Sequence, residues 1–205
     1  MLPPRLVLAT TNPGKLRELR ELLEPQRIEV RSLAEFTGGQ AEETAPSFVE
    51  NAILKARHAS QVAGLPAIAD DSGLEVDALG GAPGVHSARF AGPQADDEQN
   101  RLKLLAALRE VSDPARTARF RCAMVYLRSP VDPVPVIAQA SWEGRIAHAP
   151  VGSGGFGYDP VFLLADSGRT VAQIEAADKQ RLSHRGKALR ALLERLKAGS
   201  GPAAW

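Results

Sequence analysis

Leu6-Val7-Leu8-Ala9 is a short apolar run cut off by Thr10-Thr11-Asn12-Pro13-Gly14, behind which Leu16, Leu19, Leu22 and Leu23 recur at helical spacing. Strand, tight turn and helix follow from that pattern, with Asn12 as N-cap, Pro13 at the first helical position and Pro25 as the stop. Phe48, Ala52, Ala56 and Ala59 trace the face of a second helix from Ser47 to Ala63, whose polar side carries Glu50, Asn51 and Lys55. Gly64-Leu65-Pro66 ends it, and Ala67-Ile68-Ala69 reads as a short buried strand that delivers Asp70-Asp71-Ser72-Gly73 at its end. A Gly-rich stretch follows, then a third helix from about Asp97 to Val111 on a spine of Leu102, Leu105 and Leu108. Strands are predicted at Ala118–Leu127 and Val134–Trp142, joined as a hairpin, and at Val161–Leu164, after a flexible loop from Gly152 to Gly157. Leu189, Leu192, Leu193 and Leu196 mark a closing helix that starts near Ser183.

Strands alternating with helices predict an α/β fold. The 205 residues fit one domain over 1–198, which could be built of two lobes, followed by a loose tail over 199–205. With 25 basic and 24 acidic side chains the net charge is +1, which leaves no bulk field to recruit nucleic acid or anionic lipid, so phosphate recognition must be local. No apolar stretch approaches the roughly 18 residues of a membrane span, and a cytoplasmic location is expected. The single Cys122 lies in an apolar run and reads as a buried thiol.

Lys15 stands on the first turn of a helix whose N-terminus already attracts anions, which suits a triphosphate and equally suits a capped surface helix with a solvated lysine; Leu16 after Gly14-Lys15 and the missing upstream glycine exclude a Walker A loop. Triphosphate hydrolysis needs oxygen ligands for Mg²⁺ and a carboxylate to orient or deprotonate water. Glu42-Glu43 and Asp70-Asp71 could supply both, although Glu42 and Glu43 equally suit exposed acids before a helix. Adjacent aspartates after an apolar strand repel one another unless a cation or donor is near. Gly152 to Gly157 formally fits GxGxxG, but Pro160 and a strand follow where a helix is required, so the dinucleotide reading fails. The loop instead offers Phe156 and Tyr158 for stacking on a ring, with Asp159 as a polar reader, although Phe156 could equally be core. Lys179, Arg181, His184 and Arg185 converge near another helix start, as donors to a phosphate or ring carbonyl or equally as a basic helix start that is simply solvated. His58, His86, His148 and His184 show no zinc spacing, and no GxSxG elbow supports a serine triad.

Together, Thr10-Thr-Asn-Pro-Gly-Lys15, Ser47-Phe-Val-Glu-Asn-Ala52, Ile68-Ala-Asp-Asp-Ser-Gly73, Gly155-Phe-Gly-Tyr-Asp-Pro160 and Ser183-His-Arg-Gly186 resemble the inosine triphosphate pyrophosphatase (RdgB-like) family, in family order and across nearly the whole chain. The resemblance implies a mixed α/β fold with an elongated central sheet and flanking helices, two lobes around an active-site cleft, and a homodimer. It implies Mg²⁺-dependent cleavage of dITP, ITP and XTP between the α and β phosphates. Carried over by position, Thr10, Thr11, Asn12, Pro13, Gly14 and Lys15 would hold the phosphates. Asp71 would be general base and Mg²⁺ ligand, with Glu42 or Glu43 a further metal carboxylate, and Ser72 would contact substrate. Phe156, Gly157, Tyr158 and Asp159 would enclose the base, and Lys179, His184 and Arg185 would complete the nucleotide site. Thr11 stands where many relatives carry glycine, which matters if the turn needs a positive φ there. A 6-oxo acceptor on hypoxanthine or xanthine would reward His184 and Arg185 donors and leave adenine poorly paired. The rivals are a Maf-like house-cleaning pyrophosphatase acting on pyrimidine or modified nucleotides, and a regulator that binds a triphosphate without cutting it.

Overall fold

The computed structural model describes residues 3–198; the expected tail at 199–205 lies outside them. Six strands form one mixed sheet in the order β2-β1-β3-β4-β5-β6. These are β1 (Arg5–Leu8), β2 (Glu29–Ser32), β3 (Ala67–Val76), β4 (Thr117–Leu127), β5 (Val136–Ile146) and β6 (Phe162–Leu164). β1 runs parallel to β2 and β3, whereas β6 runs antiparallel to β5 with Ile146 opposite Phe162. The helices are α1 (Pro13–Leu23), α2 (Phe48–Ala63), α3 (Asp97–Ala107), α4 (Ala176–Leu182) and α5 (His184–Ala198). No described helix is long and apolar enough to cross a membrane.

The chain divides into two compact units, one of residues 1–71, 122–140 and 185–205, the other of residues 72–121 and 141–184. In the first unit the pleat of β1 sorts the core. Leu6 and Leu8 pack with Leu19 and Leu23 of α1 and Leu189 and Leu192 of α5, while Val7 turns to the opposite face to meet Ala52, Ala56 and Ala59 of α2. Both faces of β1 are therefore covered, which is why its sequence is apolar without alternation. Cys122 joins the first of these clusters, and burial pushes its thiol up to about 12, the behaviour of an inert core residue.

The second unit has a one-sided sheet. Ala118 and Phe120 of β4 point into a core with Leu74, Val76, Trp142, Tyr158 and Phe162. Alternating with them, Arg119 and Arg121 face outward, paired with Asp77, Glu143 and Glu75. This is the apolar-in, charged-out alternation of a half-solvated sheet.

Three expectations change. β3 does not stop at Ala69: it continues to Val76, so Asp70-Asp71-Ser72-Gly73 sits inside a strand and not at its end. The tetrapeptide looks like a turn, yet Leu74 and Val76 keep the inward period and extend the strand past it. The edge strand β2 and the seven-residue α4 carried too few apolar positions to be seen, and α3 closes at Ala107 rather than near Val111.

Candidate functional site

Asn12 caps α1 as its sequence suggests, accepting from the Lys15 amide at 3.0 Å with Pro13 in the first turn. Thr10 Oγ1 accepts from the Asn12 amide and Thr11 Oγ1 accepts from Gln40. Among the described residues the one non-glycine position with positive φ is Arg27, so Thr11 does not occupy the left-handed region in its turn. Thr11, Asn12 and Pro13 are exposed, Thr10, Gly14 and Lys15 half-buried.

Strand parity resolves the two aspartates. Successive side chains leave a strand on opposite faces, so Asp70 follows Ile68 toward α1 and α5, and Asp71 turns toward α2. Asp70, 1% exposed, meets Lys15 Nζ at 3.1 Å and Arg185 Nε at 3.3 Å, and Arg185 also donates to Glu18 of α1. Burial alone would raise the Asp70 carboxyl, but the cationic Lys15 and Arg185 hold it far below the usual carboxylate range.

Asp71, 5% exposed, receives Lys55 Nζ on Oδ1 at 2.7 Å, and the same ammonium donates to Glu43 Oε1 at 3.0 Å. Its other oxygen, Oδ2, is buried with no hydrogen-bond partner among the described residues. Here burial outweighs Lys55, and the Asp71 carboxyl is raised, the direction expected of a proton acceptor poised for use. Glu43 is brought to Lys55 because Asn51 of α2, fully buried, grips the backbone of Ala45 through both its N–H and its C=O. Glu42 is exposed. Among the described residues no group of three or more His, Cys, Asp or Glu side chains gathers at metal-binding distance.

The second unit carries the remaining residues. Ser72 is half-buried on β3. The segment expected to be flexible is tied down: the Gly154 amide donates to the Ala172 carbonyl, that of Phe156 to Asp159 Oδ2 at 2.8 Å, and that of Gly157 to Asp97 Oδ2 at 2.7 Å. Gly155 is obligatory, because at φ +75° an added Cβ would collide with the Asp159 carboxylate. Phe156 is half-buried, with Lys179 Nζ 4.4 Å from the centre of its ring. Lys179 donates to Asp159 at 2.7 Å, so Asp159 is a buried pin for the loop and for Lys179.

Tyr158 does not offer its ring for stacking. It lies in the core, and its hydroxyl donates to the Ser87 carbonyl at 2.8 Å. The turn at 155–158 breaks any strand alternation, so Phe156 and Tyr158 part company: Asp159 holds the Phe156 amide, while the Ser87 carbonyl and the surrounding core take Tyr158. His184 is buried and stacks on Phe120 at 4.8 Å. Its neighbour Arg185, 2% exposed, belongs to the other unit. The sequence places Lys55 on the polar face of its helix but gives it no role in the site, and it does not single out Glu18; the signal available was that two adjacent strand aspartates need a cation on each face.

A model of the Ham1 family matches residues 6–195. The chain is 59% identical to a dITP/XTP pyrophosphatase of Thioalkalivibrio sulfidiphilus over 192 residues, covering 94% of this chain and 98% of that one. It is 52% identical to a dITP/XTP pyrophosphatase of Escherichia coli O157:H7, covering 95% of this chain and 99% of that one. Its fold is similar to a solved structure of a HAM1 protein from Coxiella burnetii, with TM-score 0.87, 45% identity, and 97% and 100% of the two chains covered.

Proposed function

This chain belongs to the Ham1 family, and we propose that it is a Mg²⁺-dependent pyrophosphatase that converts dITP, ITP and XTP to the monophosphate and pyrophosphate, a cytoplasmic homodimer that cleanses the nucleotide pool. The observation that carries the reading is the pair of buried neighbours Asp70 and Asp71, each held by its own lysine, with Asp71 Oδ2 bearing no partner among the described residues. A pure binding protein has little use for a second buried carboxylate beside a lysine that could contact phosphate.

The donors fit Mg²⁺ of the kind that takes one or two carboxylates and completes its shell with substrate phosphate and water: Asp71 and Glu43 share one ammonium and Asp71 keeps an oxygen to spare. When bound, the ion would neutralise phosphate charge and acidify water. Asp71 accepts the proton as the water oxygen bonds to the α-phosphorus, and the bond from that phosphorus to the bridging oxygen breaks to release pyrophosphate. Asp70, kept ionised by Lys15 and Arg185, fixes Lys15 beside the turn at Thr10–Gly14, whose exposed groups receive phosphate. Ser72 contacts substrate. Phe156 provides the stacking face with Lys179 over its ring, and His184 donates to the 6-oxo group; Arg185, expected from the sequence to do the same, is instead bound to Asp70 and Glu18 and keeps Asp70 ionised.

Product analysis tests the reading. With dITP and Mg²⁺ the products are dIMP and pyrophosphate; dIDP with orthophosphate would mean that a different bond is cut and would overturn it.

A further inference from the structure

The loop that carries Phe156 is gripped from outside by α3. Asp97 and Arg101 stand one helical turn apart, and both engage the peptide groups of Gly157: Asp97 Oδ2 accepts from the N–H at 2.7 Å, and Arg101 Nη1 donates to the carbonyl at 2.8 Å. An Asp and an Arg at that spacing ordinarily pair with each other. Among the described residues they do not, and both charges are spent on one glycine. Nor does α3 need Asp97 for its own start, since Asp96 caps it, accepting from the Gln99 amide at 2.8 Å.

The preceding amide, of Phe156, is held by Asp159, and Lys179 bridges Asp159 and the Phe156 ring. The ring is therefore located by α3 on one flank and by Asp159 and Lys179 on the other. Gly157, at φ +60° with open space where a Cβ would stand, has no side chain to anchor it, so without the clamp it would be free to act as a hinge. Stacking needs a ring held at a set height and tilt, so a platform on a free hinge would lose affinity through ordering cost.

We propose that Asp97 and Arg101 are positioning residues for base recognition, fixing the Gly157 peptide and through it the Phe156 ring. This rests on the assignment of Phe156 to the base. Asp97 and Arg101 bond to the Phe156 loop and to none of the residues assigned to the phosphates, so the clamp governs binding of the base and not bond cleavage.

The test uses the full chain with Asp97→Ala, Arg101→Ala, Arg101→Lys and Phe156→Ala, measuring kcat and KM for dITP and inhibition by dIMP and by pyrophosphate. In Asp97→Ala and Arg101→Ala, KM and the dIMP inhibition constant rise about tenfold, kcat stays within about twofold, and pyrophosphate inhibition is unchanged, the pattern of lost uniform binding. Arg101→Lys recovers most of the loss, because an ammonium still reaches the carbonyl. Unchanged KM and dIMP inhibition in both alanine variants, with Phe156→Ala raising KM, would overturn the clamp alone. An unchanged KM in Phe156→Ala would remove the base platform on which the clamp rests. Parallel loss of kcat and pyrophosphate inhibition in the clamp variants would show a general disturbance and also overturn the proposal.

Discussion

Asp71 and Arg185 are both buried and charged, yet substitution separates them. Asp71→Asn keeps the shape and the Lys55 contact while removing the basic oxygen, so kcat falls at least about a hundredfold with little change in melting temperature, as loss of a general base does. Turnover near that of the parent would remove Asp71 from its role. Arg185→Ala acts first on stability. It leaves Glu18 and Asp70 buried without their guanidinium, which costs about 3–5 kcal/mol by denaturant unfolding. Arg185→Lys returns the charge but not the fork, so it recovers only part of that loss. A stability unchanged in Arg185→Ala would mean that the network contributes nothing to the fold.

The turn between β4 and β5 offers a pH test at the scale of an element. Asp132, 3% exposed, accepts from the Arg128 side chain and amide and from the Val134 amide, while Arg57 donates to the carbonyls of Pro130 and Asp132. The hydrogen bonds from Arg128 hold the Asp132 carboxyl well below its usual range against the opposing effect of burial. A carboxyl lowered on folding stabilises above its unfolded pKa and ceases to do so as pH falls through the folded value. Asp132→Asn therefore costs about 2 kcal/mol at pH 7, and the gap between variant and parent narrows as pH drops below about 4. A gap independent of pH would contradict the assignment.

The elements were legible wherever one physical signal dominated. α1 and α2 begin at Asn12 and Ser47 because those caps precede clean apolar faces, and β4 and β5 follow from long alternating runs. β2 was not, because Glu29 and Arg31 of this edge strand are partly exposed and Glu29 pairs with Arg5, leaving too little apolar period to read. In the site, the position of Asp71 was readable and its partner was not. The Lys55 contact arises only when β3 turns Asp71 toward α2, a tertiary fact 16 residues away. Tyr158 misled for a similar reason: a loop aromatic reads as a platform until the core that takes its ring is known.

Taken whole, the chain distributes its chemistry between two units. The first carries the capped turn, the two aspartates and their lysines, and the second carries the braced Phe156 loop. Net charge is close to zero, so the bulk field favours neither sign of partner and the recognition of a triphosphate falls to these local groups. That the relatives named dITP/XTP pyrophosphatases match at 52–59% identity over nearly their full length fits a common activity. The most direct measurement is pyrophosphate release from dITP, XTP, dATP, dGTP and dTTP, each with Mg²⁺ and with chelator. Rapid release from dITP and XTP alone, abolished by chelation, is the predicted result; release from dTTP would point to a Maf-like activity, and no release from any of them would contradict the account and leave a protein that binds nucleotides without cutting them.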